Sequence, residues 1–226
     1  RVMVLDVDRT LVQNEMIDEL ADLAGVGDQV AELTERAMRG ELDFEEALRA
    51  RVRLLAGQPE AILDKAWDRL RLTPGARTFI ATLRHLGFKI AIVSGGFTSI
   101  TERLKDELGL DYAFANTLEI TDGMLTGRVE GPIVDRQRKA QLLHTIAAEE
   151  GLATRQIVAV GDGANDIDML ETAGLGIAFN AKRGVANAAD AELNLPYLDA
   201  VLFLLGVRRE DIESEGSLTQ ETPPPV

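Results

Sequence analysis

The 226-residue chain has 46% apolar residues, a net charge of −14 and no cysteine. This length and composition suffice for one large globular domain, or for a core with a smaller insertion. The acidic balance and the lack of any run of Lys and Arg argue against a nucleic-acid partner, which clustered basic side chains would hold. The absence of cysteine excludes disulfides and thiolate metal sites. No secretory signal or bilayer-length apolar stretch is visible, so we expect a cytoplasmic protein that does not enter membranes.

Strand and helix patterns alternate along most of the chain. An apolar strand over residues 2–5 is followed by helical periodicity from about residue 15 to residue 70. Thr73-Pro74-Gly75 then opens a helix that leads to a strand over residues 88–93. The later predicted elements are a helix around 100–108, a short strand over 112–115, a hairpin over 118–129 turning at Asp122-Gly123, a helix over 139–150, and strands over 157–160 and 175–179. This alternation predicts an α/β fold with a mostly parallel sheet covered on both faces.

The long helical stretch divides the predicted architecture. We predict an α/β core over residues 1–12 and 74–206, with a helical bundle over residues 13–73 inserted after the first strand. Residues 207–226 are acidic and end in Thr-Pro-Pro-Pro-Val, a composition typical of a disordered tail.

Two acidic clusters each follow a predicted strand. Asp6 and Asp8 come directly after the first strand, and Asp162 and Asp166 follow the strand over residues 157–160. The carboxyl ends of parallel strands form the crevice where open α/β sheets bind ligands, so we expect these acids to meet there. Such carboxylates repel one another unless a cation lies between them, and hard oxygen ligands favour Mg²⁺. The sequence therefore predicts a catalytic magnesium site.

The order of the polar motifs resembles that of a known superfamily. Asp6, Asp8 and the hydroxyl of Thr10 are similar to the first motif of the haloacid dehalogenase superfamily of phosphotransferases. Ser94 and Lys139 stand where its later motifs occur. Within the superfamily the chain most resembles the phosphoserine phosphatases, up to about residue 206. The segments that carry the resemblance are Asp6-Val7-Asp8, Glu15-Met16-Ile17, Glu41-Leu42-Asp43-Phe44, Arg51-Val52, Val93-Ser94-Gly95-Gly96-Phe97 and Val160-Gly161-Asp162-Gly163-Ala164-Asn165-Asp166.

The resemblance implies a Rossmann-like core with a cap, and a reaction. The implied reaction hydrolyses O-phospho-L-serine to L-serine and phosphate, the last step of serine biosynthesis, through an aspartyl-phosphate. Asp6 is the implied nucleophile, and Asp8 is the implied general acid and base. The carboxylates of Asp6 and Asp162 and the backbone carbonyl of Asp8 would hold Mg²⁺, with Asp166 orienting the metal waters. The implied phosphate ligands are Ser94, Gly95, Lys139 and Asn165.

The resemblance also implies that the inserted helices select the substrate, because they match a cap that closes over the active site in this family. Free serine carries an ammonium and a carboxylate, and Glu15 and Arg51 match the family's partners for these two groups. Met38 and Phe44 match apolar cap positions that shield the site. The implied partner is the small molecule O-phosphoserine, bound by a monomer or a homodimer.

Arg9 departs from the family pattern, in which a small residue, commonly Ser, stands between the second Asp and the Thr. A long cation at this position is compatible with three arrangements: it points away, pairs with acids near the site, or crowds the phosphate pocket.

Two alternatives stay open at this point. One is a related enzyme that hydrolyses another small phosphate monoester or transfers the phosphoryl group to a different hydroxyl. The other is a binding or regulatory module with weakened turnover. The two histidines, His85 and His144, lie on amphipathic helices without a partner signal, so we expect neither a histidine-based triad nor a zinc site.

Overall fold

Strands and helices alternate along residues 1–213, the part of the chain that this computed structural model describes. The strands there are β1 (Val2–Leu5), β2 (Lys89–Phe97), β3 (Tyr112–Thr121), β4 (Met124–Glu130), β5 (Ile157–Gly161), β6 (Leu175–Phe179) and β7 (Ala191–Leu193). The helices are α1 (Met16–Ala24), α2 (Gly27–Met38), α3 (Phe44–Arg53), α4 (Ile62–Arg69), α5 (Ala76–His85), α6 (Thr98–Leu108), α7 (Arg136–Glu149), α8 (Ile167–Thr172), α9 (Arg183–Ala186) and α10 (Val201–Leu204). None of these helices is long and apolar enough to cross a membrane.

The strands form a single sheet in the order β4-β3-β2-β1-β5-β6-β7. All neighbouring pairs are parallel except β3 and β4, which form the antiparallel hairpin predicted to turn at Asp122-Gly123. Both turn residues have positive φ, 51° and 72°, as a tight hairpin requires. The α/β fold class with a mostly parallel sheet is confirmed.

Two strands are longer than the sequence predicts. The short strand expected over 112–115 and the first half of the hairpin form the one continuous strand β3. Strand β2 continues past Val93 to Phe97, and its register with β3 shifts between these two residues. This irregularity interrupts the β2–β3 ladder at Ser94-Gly95-Gly96.

Helices cover both faces of the sheet, because successive side chains of the buried strands point to opposite sides. Met3 and Leu5 of β1 belong to one apolar cluster, which includes residues of α5, α6 and α10. Val2 and Val4 belong to a second cluster, which includes residues of α7, α8 and α9. All four side chains are fully buried, so β1 lies at the centre of the fold.

Helices α1 to α4 follow β1 and precede α5, and the chain leaves and returns through two adjacent segments. The Gln13 amide donates to the Arg71 carbonyl at 2.8 Å, and the Thr73 amide donates to the Leu11 carbonyl at 2.9 Å. This pairing falls at the boundary expected for the helical insertion over residues 13–73. The division of the chain into core and cap stays a prediction.

The predicted tail is only partly described. A 3₁₀ turn spans Arg209–Asp211, and the Glu213 amide donates to the Thr82 hydroxyl of α5 at 3.0 Å. Residues 214–226, the remainder of the tail expected to be disordered, lie outside the described residues.

Candidate active site

The predicted catalytic residues meet at the carboxyl ends of three adjacent strands. Asp6 and Asp8 follow β1, Ser94 lies in the irregular end of β2, and Asp162 follows β5. Because β1 pairs in parallel with both β2 and β5, these ends lie side by side. The Asp6 amide donates to the Val160 carbonyl at 2.9 Å and so extends the β1–β5 ladder into the site.

Lys139 lies beneath this edge and joins two of the acids. It is fully buried in α7, and its Nζ donates to Asp6 Oδ1 at 2.5 Å and to Asp166 Oδ1 at 2.7 Å. Burial opposes the charged ammonium, but the Asp166 and Asp6 carboxylates outweigh this effect and raise the pKa of Lys139 above its usual range. The lysine therefore stays a cation and fixes the orientation of the Asp6 carboxylate.

The acidic cluster holds more negative charge than this one lysine balances. Oxygens of Asp6, Asp162 and Asp166 all lie within 4.8 Å of one another. Burial, and then the Asp166 carboxylate, raises the pKa of Asp6 well above its usual range and that of Asp162 to about 6. A bound divalent cation would relieve both the repulsion and the desolvation, and carboxylate oxygens are the donors that Mg²⁺ prefers. The donor set thus fits the predicted metal.

Asp166 organises the turn that carries Asp162. Its Oδ2 accepts hydrogen bonds from the amides of Asp162 at 3.1 Å and Gly163 at 3.0 Å, while Oδ1 faces Lys139. Gly161 is required here, because a Cβ at that position would come within 2.5 Å of the Asp166 carboxyl. These contacts occupy both Asp166 oxygens, so this fully buried residue positions its neighbours.

Asp8 also lines the cavity. Its Oδ1 accepts from the Met16 amide at 2.9 Å, and its Oδ2 accepts from the Ser94 hydroxyl at 3.2 Å. The Ser94 hydroxyl in turn accepts from the Gly96 amide at 2.8 Å. Burial raises the pKa of Asp8 to about 6, although the Met16 amide and the Ser94 hydroxyl oppose the shift. A carboxyl with this pKa can both hold and release a proton near neutral pH.

A cavity of about 180 Å³ lies between the strand ends and the inserted helices. Its lining residues are Asp6, Asp8, Arg9, Glu15, Ile17, Phe44, Leu48, Arg51, Gly95, Gly96, Phe97, Asp162, Gly163 and Asn165. Phe44 lies directly over Gly95, where a Cβ would come within 3.1 Å of the phenyl ring. The cavity is therefore polar at the strand edge and partly apolar on the helical side.

The predicted substrate partners line this cavity: Glu15 immediately precedes α1, and Arg51 lies in α3. Arg51 is buried, and its Nε donates to the Ala47 carbonyl at 3.2 Å while its Nη1 lies 3.9 Å from Glu15 Oε1. The other Glu15 oxygen lies 2.5 Å from Arg9 Nη2. Of the three arrangements open to Arg9, the structure therefore has the one in which it pairs with an acid near the site.

Not every predicted site residue lies at the cavity. Met38, the last residue of α2, is 69% exposed and does not line it, because it lies on the solvent side of that helix end. Phe44 and Asn165 do line it, whereas Ser94 and Lys139, two other predicted phosphate ligands, are buried and are not among its lining residues. His85 and His144 are exposed and do not line it.

Two buried polar residues support the site without a place in the predicted set. Asn116 donates to the Gly95 carbonyl and accepts from the Val134 amide, both at 2.8 Å, and so anchors the irregular end of β2. Thr10 donates to Asp162 Oδ1 at 3.2 Å, which joins the two acidic loops. The sequence signal for Asn116 is a carboxamide within a strand, and for Thr10 a hydroxyl two residues after Asp8.

Comparison with known proteins places this arrangement in a family. A family model described as haloacid dehalogenase-like hydrolase matches residues 3–171, which include both acidic clusters, Ser94 and Lys139. The chain belongs to this family. The resemblance expected from the motifs is thereby confirmed.

Individual relatives agree with the family assignment. The chain is 57% identical over 221 residues to a phosphoserine phosphatase of Streptomyces coelicolor, covering 98% of this chain and 54% of that protein. It is 50% identical over 204 residues to a phosphoserine phosphatase of Streptococcus thermophilus, covering 90% of this chain and 95% of that protein. The chain thus spans about half the length of the first relative and nearly all of the second.

Solved structures show the same fold. A substrate-bound phosphoserine phosphatase complex superimposes with a TM-score of 0.85 at 45% identity, covering 90% of this chain and 97% of that one. A phospho-aspartyl intermediate analogue of phosphoserine phosphatase gives the same TM-score and identity, covering 90% and 98%. The haloacid dehalogenase-like fold of this chain is therefore confirmed in three dimensions.

Proposed function

We propose that this chain is a Mg²⁺-dependent phosphoserine phosphatase that hydrolyses O-phospho-L-serine to L-serine and phosphate. One observation carries the proposal. Two sets of charged residues face each other across one small cavity: the acids at the strand ends, and an acid and a base from the inserted helical segment. The first set suits phosphoryl transfer, and the second suits the two charged groups of an amino acid. The names of the similar proteins support the same substrate.

Asp6 is the proposed nucleophile. Phosphate monoesters resist hydrolysis, and an aspartyl-phosphate intermediate divides the reaction into two easier displacements. The bond from Lys139 Nζ to Asp6 Oδ1 orients the carboxylate and leaves its second oxygen to attack phosphorus. Ser94, Gly95, Lys139 and Asn165 are the proposed donors to the phosphoryl oxygens.

Asp8 is the proposed general acid and base. In the first step its proton passes to the leaving serine oxygen, and in the second step it takes a proton from the water that cleaves the aspartyl-phosphate. Burial raises the pKa of this carboxyl to about 6, which suits both roles. The Met16 amide and the Ser94 hydroxyl hold the side chain in place.

The metal would be held by Asp6, Asp162 and the Asp8 carbonyl, with Asp166 orienting its waters. When bound, Mg²⁺ supplies positive charge that offsets both the carboxylates and the phosphoryl oxygens. The Thr10 hydroxyl and the Asp166 carboxylate fix the Asp162 loop independently of the ion.

Glu15 and Arg51 are the proposed partners of the substrate ammonium and carboxylate. Arg51 is buried and held by the Ala47 carbonyl, so its guanidinium is a fixed cation. Phe44 shields the cavity from solvent in this proposal. A cytoplasmic location and a monomeric or homodimeric state stay predictions.

Phosphate release from L-phosphoserine tests this function directly. We expect release that requires Mg²⁺, stops with a chelator, and is lost in Asp6→Asn but retained in Asp106→Asn, an exposed acid on α6. Phosphothreonine, phosphoethanolamine and a sugar phosphate run in parallel measure selectivity. No release from L-phosphoserine with Mg²⁺, alongside turnover of another monoester, would overturn the proposed substrate.

A further inference from the structure

We propose that Arg9 is a specificity-determining residue that competes with the substrate ammonium for the Glu15 carboxylate. This inference rests on the proposed function, in which Glu15 binds that ammonium. Arg9 lines the same cavity, and its guanidinium already occupies one Glu15 oxygen at 2.5 Å. An amino-acid phosphate must therefore displace or share this ion pair, whereas a phosphate ester without an ammonium does not.

When an ammonium binds at Glu15, only the side chain of Arg9 has to move. Its backbone has a φ of 58°, in the left-handed region, and its amide donates to the Asn14 carbonyl at 3.3 Å. A second cavity of about 450 Å³ lies beside the first and is also lined by Arg9, with Asp162 and Lys182 among its other residues. This space can receive the arginine side chain when an ammonium takes its place at Glu15.

The charges around Glu15 determine whether Arg9 weakens or strengthens binding of the substrate ammonium. Arg51 Nη1 lies 3.9 Å from Glu15 Oε1, so two guanidinium groups flank the one carboxylate. Arg51 is buried, but the Arg9 side chain is 57% exposed, so Arg9 is the cation that can leave. An incoming ammonium meets repulsion from Arg9 as well as competition for its partner.

Steady-state kinetics of wild type and Arg9→Ser with three substrates test the proposal. L-phosphoserine carries both charged groups, phosphoethanolamine carries only the ammonium, and 3-phosphonooxypropanoate carries only the carboxylate. We expect Arg9→Ser to lower KM about three- to fivefold for the two ammonium substrates, as loss of a competing exposed ion pair predicts. For 3-phosphonooxypropanoate we expect an unchanged or higher KM, and kcat similar to wild type for all three.

Two further variants distinguish the effect of the Arg9 charge from the effect of its size. Arg9→Gln keeps most of the length and should behave like Arg9→Ser, while Arg9→Lys keeps the charge and should behave like wild type. Arg208→Ser is the matched control, because it removes an equally charged arginine from an exposed ion pair outside both cavities. Raising the salt concentration should shrink the difference between wild type and Arg9→Ser, since exposed charges are screened.

Failure of the inference differs from failure of the proposed function. If wild type releases no phosphate from L-phosphoserine, the proposed function fails. If wild type is active but Arg9→Ser shifts KM equally for all three substrates, or raises it for both substrates that carry a carboxylate, the competition is refuted. An Arg9→Gln variant that resembles wild type would equally overturn it.

Discussion

The two walls of the cavity are held together in different ways. At the strand edge, Asp6, Lys139 and Asp166 form a strand-end cluster of nearly or fully buried side chains joined by direct hydrogen bonds. On the helical side, Glu15 lies between Arg9 and Arg51 in a cap-side wall whose contacts are partly exposed ion pairs. The first region is part of the core, and the second can exchange partners with a ligand.

This difference follows from where each region lies in the fold. A charge in the core is tolerated only when its partners are fixed, because desolvation is expensive and removal of one partner leaves the other unpaired. An exposed ion pair contributes little, because water screens it and competes for both groups. We therefore expect the strand-end cluster to respond sharply to substitution and the cap-side wall to respond mainly in substrate affinity.

The largest effect is expected from Lys139→Met. This change leaves the Asp6 and Asp166 carboxylates buried without their cation, so we expect the free energy of unfolding of metal-free protein to fall by about 3–5 kcal/mol. We expect kcat to fall about 10²- to 10³-fold as the charge near the phosphoryl group is lost. Urea unfolding and phosphate release measure the two effects.

The matched control for this change is Lys89→Met. Lys89 makes an equally direct ion pair with Asp111 at 2.7 Å, but its side chain is 52% exposed. We expect nearly unchanged unfolding and activity in this variant. Similar losses of stability in both lysine variants would mean that burial does not distinguish the two kinds of ion pair.

An effect of similar size is expected from pH on the stability of metal-free protein. Burial raises the pKa of Asp8 and Asp162 from 3.8 to about 6, so between these values the folded state binds protons that the unfolded chain releases. Stability should therefore fall as pH rises from about 4 to 6, by up to about 3 kcal/mol for each group. Asp162→Asn should show a shallower fall in urea unfolding with chelator present.

Adding Mg²⁺ checks the cause of this pH dependence. Because a ligand that binds only the folded state stabilises it, Mg²⁺ should raise the stability of wild type above pH 6 and that of Asp162→Asn much less. Parallel pH profiles for the two proteins, with and without Mg²⁺, would contradict the role given to Asp162.

The meeting of the acids at the strand ends was predictable from the sequence, and the contacts of the cap-side wall were less so. Asp6 and Asp162 each follow a short apolar strand, and the rule that ligands bind at the carboxyl ends of parallel strands brings them together. Lys139 was expected near the phosphate, but its contacts with Asp6 and Asp166 depend on how α7 packs against the sheet. Sequence patterns predict that such residues lie at the site, but they do not predict which side chains these residues contact.

The features that were missed depend on contacts between distant segments. Asn116 supports Gly95 because β3 lies beside the irregular end of β2. No local sequence pattern predicts a hydrogen bond between residues that are 21 positions apart. Met38 was expected at the substrate on the basis of resemblance, yet the end of α2 turns it to solvent. Arg9 departs from the family pattern in the sequence, but only the structure shows that Glu15 is its partner.

Double substitution at Arg9 and Glu15 tests whether both residues of the cap-side wall act on the substrate ammonium. Glu15→Gln removes the proposed ammonium partner, so we expect KM for L-phosphoserine to rise about tenfold with a smaller change in kcat. In that background Arg9→Ser should lower KM less than it does in the wild type, because Glu15 no longer offers a carboxylate to compete for and only the repulsion by Arg9 is removed. Independent, additive effects of the two substitutions on KM would show that Arg9 acts elsewhere.

The smallest effect is expected from Met38→Ala, with Phe44→Ala as its counterpart. Both were predicted to shield the substrate, but Met38 is 69% exposed whereas Phe44 lines the cavity over Gly95. Truncating an exposed side chain removes little buried surface, so we expect KM to change less than about twofold for Met38→Ala and several-fold more for Phe44→Ala. Equal effects on KM would mean that α2 brings Met38 onto the bound substrate, and the cap-side wall would then extend along that helix.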